Sequence, residues 1–392
     1  MKLVLRLLLV LFVFTVVFTC WAALKARLIS RPNLVLSAPE HEQGVQSAEG
    51  SRESCEPARY VVFLKTHKAG SSTVFNILLR YAAEEGLVLA LPQSPTAFQH
   101  STATHFEPNK VLDLSAAGMR PNLVAMHMRF HREALLSLMP NETRFVTIMR
   151  QPVDLFRSLY DYYALQRIFG GESLERFVSN EELVGTLRQR RFSGNLGFNQ
   201  IAFDLGLDPE DFNSTSKSLK RVPRAAQVTE LMSMMDSTFH LVMIAERFSE
   251  SLALLRRLLC LPGYRSVVAF RKNALHNRTT LTAPVAARLA QLNAVDTLLY
   301  DHFARKFDQQ VAAVGRARVA AEAAHIEALT ERWLAHCVET TKGRRVVGHQ
   351  LRAGMDHDET CHRLALPELE FTKELRWLQT RLARQRTGFF YQ

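Results

Sequence analysis

Cysteine is scarce, with five in 392 residues, and no two stand in C-x-x-C spacing. That spacing is what a zinc ribbon or a thioredoxin-type pair needs, so no metal site is expected. No compact Lys/Arg block with interleaved aromatics occurs either. The net charge of +11 therefore does not read as a nucleic-acid surface, and no nucleic-acid partner is expected. A basic balance of this size favours anionic ligands or surfaces. The chain also lacks a G-x-x-x-x-G-K-[ST] loop and evident paired metal-binding carboxylates beside its one phosphate-type loop, which argues against a kinase.

Long uncharged runs are rare as well, with one exception. Leu7 to Leu24 carries no charge over 18 residues, flanked by Lys2 and Arg6 before it and Lys25, Arg27 and Arg31 after it. Its length as a helix matches a bilayer core. A cleaved signal peptide would have a shorter apolar region and a small-residue cleavage site, so the run predicts a transmembrane signal anchor. The expected division is a cytoplasmic tail over residues 1–6, the anchor over 7–24, a Ser/Glu/Pro/Gly-rich stem over 25–57 and a lumenal domain over 58–392. Sequons at Asn141, Asn213 and Asn277 agree with a secretory route. Outside the anchor, Cys55, Cys260, Cys337 and Cys361 form an even set with three possible pairings.

The remainder is organised around Tyr60 to Thr73. Tyr60 to Leu64 is a bulky run that predicts a buried strand, and Val74, Ile77, Leu78 and Tyr81 recur at helical spacing. A helix thus begins near Ser71 or Ser72, and the loop before it carries Lys65, His67, Lys68 and Gly70. A loop feeding a helix N-terminus presents free N–H groups and the positive end of the macrodipole, which makes an anion site. The bland alternative is a solvated loop with a routine cap. Further strands are expected at Leu87–Ala90, Leu123–His127, Arg144–Met149 and His240–Ala245, with an edge strand at Ser266–Phe270. Helices follow at Pro152 and Ser249, and the chain is nearly all helical from Thr282 to about Val338. Strands alternating with helices predict an α/β fold with a mainly parallel sheet flanked by helices and a helical C-terminal part. Ligands of such sheets bind off the carboxyl ends of the strands, where Lys65 to Ser72, His127 with Arg129, and Arg150 converge.

Arg150 and Ser158 lie eight apart, across a strand end and the second helical turn, and could together hold a second phosphate. His127 ends a strand and suits general-base work. Taken singly, such an arginine is usually solvated and such a histidine usually sits hydrogen-bonded in a core. His131 competes with His127 from beyond the strand.

Together, Leu64-Lys-Thr-His-Lys-Ala-Gly-Ser-Ser-Thr73 with Asn76-Ile-Leu78 resembles the 5′-phosphosulfate loop of the galactose-3-O-sulfotransferases. His127-Met-Arg-Phe130, Arg150 with Pro152 and Ser158, Phe203-Asp-Leu-Gly206, Ala245-Glu246 with Glu250-Ser-Leu252, and Pro367-Glu368 extend the likeness over roughly Cys55 to Phe371. The resemblance implies a P-loop-like sulfotransferase fold and the donor 3′-phosphoadenosine 5′-phosphosulfate (PAPS), without a metal. It implies acceptors ending in galactose, on glycoproteins or glycolipids, and a type II Golgi membrane protein. It assigns Lys68 and His127 to catalysis. Lys65, Thr66, Lys68, Gly70, Ser71, Ser72 and Thr73 fall to the 5′-phosphate side, Arg150 and Ser158 to the 3′-phosphate, and Arg271 and Lys272 to closure over the nucleotide. Two positions depart from the pattern: Ala69-Gly70 replaces Thr-Ala, and Gln151 replaces an aspartate. A glycosaminoglycan O-sulfotransferase and a non-catalytic Golgi glycan-binding protein are the competing readings.

Overall fold

Val61, Val62, Phe63 and Leu64 form the first strand, β1, and none of the four has any exposed surface. Burying such side chains contributes about 1.5–3 kcal/mol each, so this strand belongs at the centre of the core. The computed structural model describes residues 55–94, 99–100, 104–189, 191, 196–207, 224–270, 281–342 and 348–388. The chain divides into two compact units, Met1–Cys55 and Glu56–Gln392, and the elements described all belong to the second.

After β1 come helix α1 (Ser71–Glu85), the short β2 (Leu123–Val124), β3 (Arg144–Met149), α2 (Pro152–Tyr162), β4 (Leu241–Ile244) and α3 (Phe248–Leu258). The four strands make one sheet in the order β2-β1-β3-β4, every pair parallel. The chain steps from β1 to β2 on one side and then returns across β1 to β3. This reversal opens a crevice at the carboxyl ends of β1 and β3, the place where such sheets take ligands. The α/β class, the parallel sheet and the helices opening at Pro152 and near Ser249 are as expected. Helices α4 (Ala294–Val314) and α5 (Arg316–Cys337) supply the expected helical run.

Three local expectations fail. Leu87–Ala90 makes only an isolated bridge, Leu89 to Leu123. Ala90 N donates to Leu123 O and Leu123 N to Val88 O, while the outward groups of Leu89 are taken by a side chain: Leu89 N donates to Gln379 Oε1 at 3.0 Å, and Gln379 Nε2 donates to Leu89 O at 3.1 Å. An amide thus closes the sheet edge where a further strand would have extended it. Ser266–Phe270 is a 3-10 turn over Arg265–Val267 and then irregular chain, still buried. After the helical run comes an antiparallel hairpin, β5 (Val338–Lys342) with β6 (Gly348–Leu351), that polar composition conceals. The Cys337–Cys361 disulfide ties the root of that hairpin to the helix Glu359–Ala365. Helix α6 (Glu368–Thr387) then runs back along α1.

The membrane anchor needs a larger correction. Among the described residues no helix is long and apolar enough to cross a membrane. Leu7–Leu24 lies outside those residues. The described fold therefore contains no spanning element, and the signal-anchor, type II and Golgi-membrane expectations that rested on one are withdrawn. Asn141 is exposed, whereas Asn213 and Asn277 lie outside the described residues.

One glycine is required by its surroundings. Gly206 has φ +99°, and a Cβ there would meet Phe130 O at 2.6 Å. Its carbonyl accepts from His105 Nε2 at 2.8 Å and Arg129 Nη2 at 3.1 Å, so the backbone cannot simply shift. Gly206→Ala is expected to cost at least ~1–3 kcal/mol of stability, read as a lowered urea midpoint. Gly86→Ala, also left-handed but facing open space, should cost less.

Candidate active site

The carboxyl ends of all four strands open into one cavity of about 690 Å³, within the range of small-molecule sites. From β1 come Lys65, His67, Lys68 and Gly70, followed by the first residues of α1; from β2 His127; from β3 Arg150, with Ser158 and Tyr162 on α2; from β4 Ala245 and Glu246.

The loop after β1 is shaped by its backbone. Lys68 adopts a left-handed conformation at φ 55° and Gly70 at φ 82°. Gly70 is the N-cap of α1 and offers no side-chain cap. The departure at Ala69-Gly70 therefore puts glycine where the turn needs it, and Ala69 itself is buried. Arg150 Nη1 donates to Lys68 O at 3.1 Å and holds the turn. Lys68 Nζ rests 3.4 Å above the centre of the Tyr162 ring. The second departure, Gln151, caps α2: its Oε1 accepts from Asp154 N at 3.0 Å. A carboxylate there would do the same, so this substitution preserves the support next to Arg150.

Lys65 is 3% exposed and sits among three elements. Its Nζ lies 2.9 Å from His127 Nε2, 3.4 Å from Ser72 Oγ and 3.2 Å from Glu368 Oε1. His127 is held neutral: burial first, then the nearby Lys65 and His67, keep its pKa well below 6.5. His127 Nδ1 is buried without a partner among the described residues. His67 stacks on His127 with centroids 4.6 Å apart. Its Nδ1 lies 2.9 Å from Asp204 Oδ1, and its backbone N donates to Asp204 Oδ2 at 2.8 Å. Gln200 Nε2 donates to the same carboxylate at 2.9 Å.

The predicted residues Lys65, Lys68, Gly70, Ser71, Ser72, Thr73, His127, Arg150 and Ser158 thus meet at one cavity. Thr66 does not line it; the side chain is buried and Oγ1 donates to Ile148 O at 2.5 Å, stitching β1 to β3. Arg129 also turns away, donating to Gly206 O and Leu207 O and stacking on Phe203. His131 precedes the helix Arg132–Leu138 instead of lining the cavity. Arg271 and Lys272 lie outside the described residues. Sequence reasoning missed Asp204, Tyr162, Glu368 and His349, all of which face or support the site. Asp204 lay inside a quoted segment, Phe203-Asp-Leu-Gly206, but no local pattern ties it to His67.

The donor set suits a doubly phosphorylated anion. Lysine, arginine, hydroxyls and an open helix start face one cavity large enough for a nucleotide. Among the described residues His336, Asp358 and Cys361 form a group that could hold a metal. However, Cys361 is spent in a disulfide and Asp358 caps the following helix.

A family model described as galactose-3-O-sulfotransferase matches residues 1–379. Galactosylceramide sulfotransferase of Homo sapiens is 30% identical over 361 residues, covering 85% of this chain and 82% of its own length. Galactose-3-O-sulfotransferase 3 of Mus musculus is 35% identical, covering 83% and 79% respectively. Galactose-3-O-sulfotransferase 4 of Homo sapiens is 29% identical, covering 88% and 87%.

Asp204→Ala would leave two donors of His67 and one of Gln200 unpaired in the core. A loss of ~2–3 kcal/mol is expected, measured by urea unfolding, because each is buried and bonded to a charge.

Proposed function

The chain belongs to the galactose-3-O-sulfotransferase family and is a PAPS-dependent sulfotransferase, and from that premise we propose that it sulfonates the 3-hydroxyl of a terminal β-galactose on glycoprotein or glycolipid glycans. The observation that carries this reading is the meeting of Lys68, Arg150, Ser158 and His127 at one cavity.

PAPS supplies an activated sulfonyl group whose transfer leaves a phosphate anion behind. The work of the protein is therefore positioning and charge stabilisation. Lys68 neutralises the leaving 5′-phosphate, helped by the N–H groups at the start of α1. It swings there from the Tyr162 ring, a move of one flexible side chain. Arg150 and Ser158 hold the 3′-phosphate, while Arg150 keeps the turn at Lys68 in shape. His127 takes the proton of the acceptor hydroxyl. Being neutral, it has a lone pair to offer. Lys65 stands at Nε2 and gives way as the proton arrives, with Glu368 as the anion it turns to.

A second reading of the base is favoured by a specific contact. Asp204 fixes Nδ1 of His67 and leaves Nε2 as the nitrogen for substrate, the arrangement that orients a general base.

Transfer of labelled sulfonate from PAPS across galactose-terminated and heparin-type acceptors, with linkage analysis, tests the activity. Exclusive transfer to heparin-type chains would overturn it. Lys68→Ala and His127→Ala are each expected to lower kcat by about two orders of magnitude or more. PAPS affinity by calorimetry should fall in Lys68→Ala and Arg150→Ala and survive in His127→Ala. Protonation at low pH silences a base, and the pKa of His127 lies well below 6.5. Wild-type kcat/KM should then stay flat from about pH 8 down to about pH 6.5 and fall only below that. Full turnover in His127→Ala with loss in His67→Ala would move the base to His67.

A further inference from the structure

The cavity has two chemically different walls. One carries Lys68, Arg150 and the start of α1. The other comes from the last fifty residues, and there Glu368, at the start of α6, faces inward. A carboxylate in an anion-binding cavity opposes the donor, so it needs a different partner. Its Oε1 is buried, 3.2 Å from Lys65 Nζ, and meets no aligned hydrogen-bond donor among the described residues. Through Lys65 it stands one side chain from His127, where the acceptor hydroxyl must lie. Tyr162 and Tyr163 line the same stretch, edge to face with centroids 4.9 Å apart. Glu368 and the two rings line the same cavity, and burial first, with the Glu368 charge among the lesser causes, raises both phenols. An aromatic edge beside a carboxylate suits a neutral sugar: ring C–H groups pack on the aromatic, and hydroxyls donate to the oxygens.

We propose that Glu368 is a specificity-determining residue of the acceptor subsite, taking hydrogen bonds from hydroxyls of a terminal neutral hexose and repelling hexoses that carry a carboxylate. The proposal rests on the galactose reading above and adds the reason an acidic sugar would be refused. A site that bonds substrate hydroxyls discriminates strongly, because the wrong ligand leaves buried groups unpaired or opposed.

The experiment compares Glu368→Gln with wild type on a β-galactoside and the matching β-galacturonoside, using PAPS as donor. The acceptor KM for the galactoside should rise ~10-fold, with the PAPS KM nearly unchanged. The galactoside-to-galacturonoside ratio of kcat/KM should fall ~10–100-fold. Glu370→Gln, exposed on the same helix, should change neither. If Glu368→Gln does not fold, Glu368→Asp keeps the charge with less reach, and should raise the galactoside KM while still refusing the galacturonoside. An unchanged ratio, or parallel rises in both KM values, would show that Glu368 only supports Lys65 and would overturn the proposal. Wild type inactive on galactosides would overturn the underlying reading and this one with it.

Discussion

Burying one ammonium constrains everything around it. Lys65 follows the central strand directly and has almost no exposed surface. A charge removed from water must be met by partners that replace its hydration. Here the partners are an imidazole from the end of β2, a hydroxyl from the first turn of α1 and a carboxylate from α6. Two elements distant in sequence, and the start of the adjoining helix, are thereby registered against β1. Burial first, and then this same contact, keep His127 neutral, so the charge that holds these elements together also bears on the protonation state of the imidazole.

The loop that follows separates two tasks along a few residues. Thr66 and Ser71 face inward, and their hydroxyls donate to Ile148 O and Thr66 O. These bonds fix the backbone, leaving Lys68 in a left-handed turn with its side chain toward the cavity. Arg150 serves both ends, bonding the turn while its guanidinium lines the same space. A backbone fixed in this way holds the lysine and the open helix start toward one space, the arrangement that preorganised charge stabilisation needs.

The sheet was legible because its strands are runs of bulky apolar residues that must be buried, and the cavity because polar residues follow those runs directly. Lys68, Gly70 and Arg150 could be read from that position alone. What escaped depended on partners far away in the chain. Asp204 reaches His67 across 137 residues, and Glu368 enters from a helix far along the chain from Lys65. Ser266–Phe270 misled because burial, not strand pairing, explains its apolar run. Leu87–Ala90 misled because it meets Leu123 over a single bridge, and a glutamine amide takes the outward groups of Leu89 where another strand would have paired. Thr66 misled because it shares a loop with residues that line the cavity, whereas its own hydroxyl is spent on Ile148 O.

The far wall of the cavity has a consequence for how this enzyme is made. Gly348, His349 and Pro367 to Leu369 complete the pocket, and the Cys337–Cys361 bridge ties the hairpin's root to the helix that precedes Pro367. Asn76, early in α1, donates to Arg363 O at 2.9 Å and holds this wall to the first helix. Synthesis runs from N- to C-terminus, so the sheet and loop exist long before the wall does. The last strand of the sheet ends at Ile244, so the crevice stays open on one side until the chain from Gly348 onward has been made. The side of the cavity that holds Glu368 is added after the loop, the sheet and Arg150 are already in the chain.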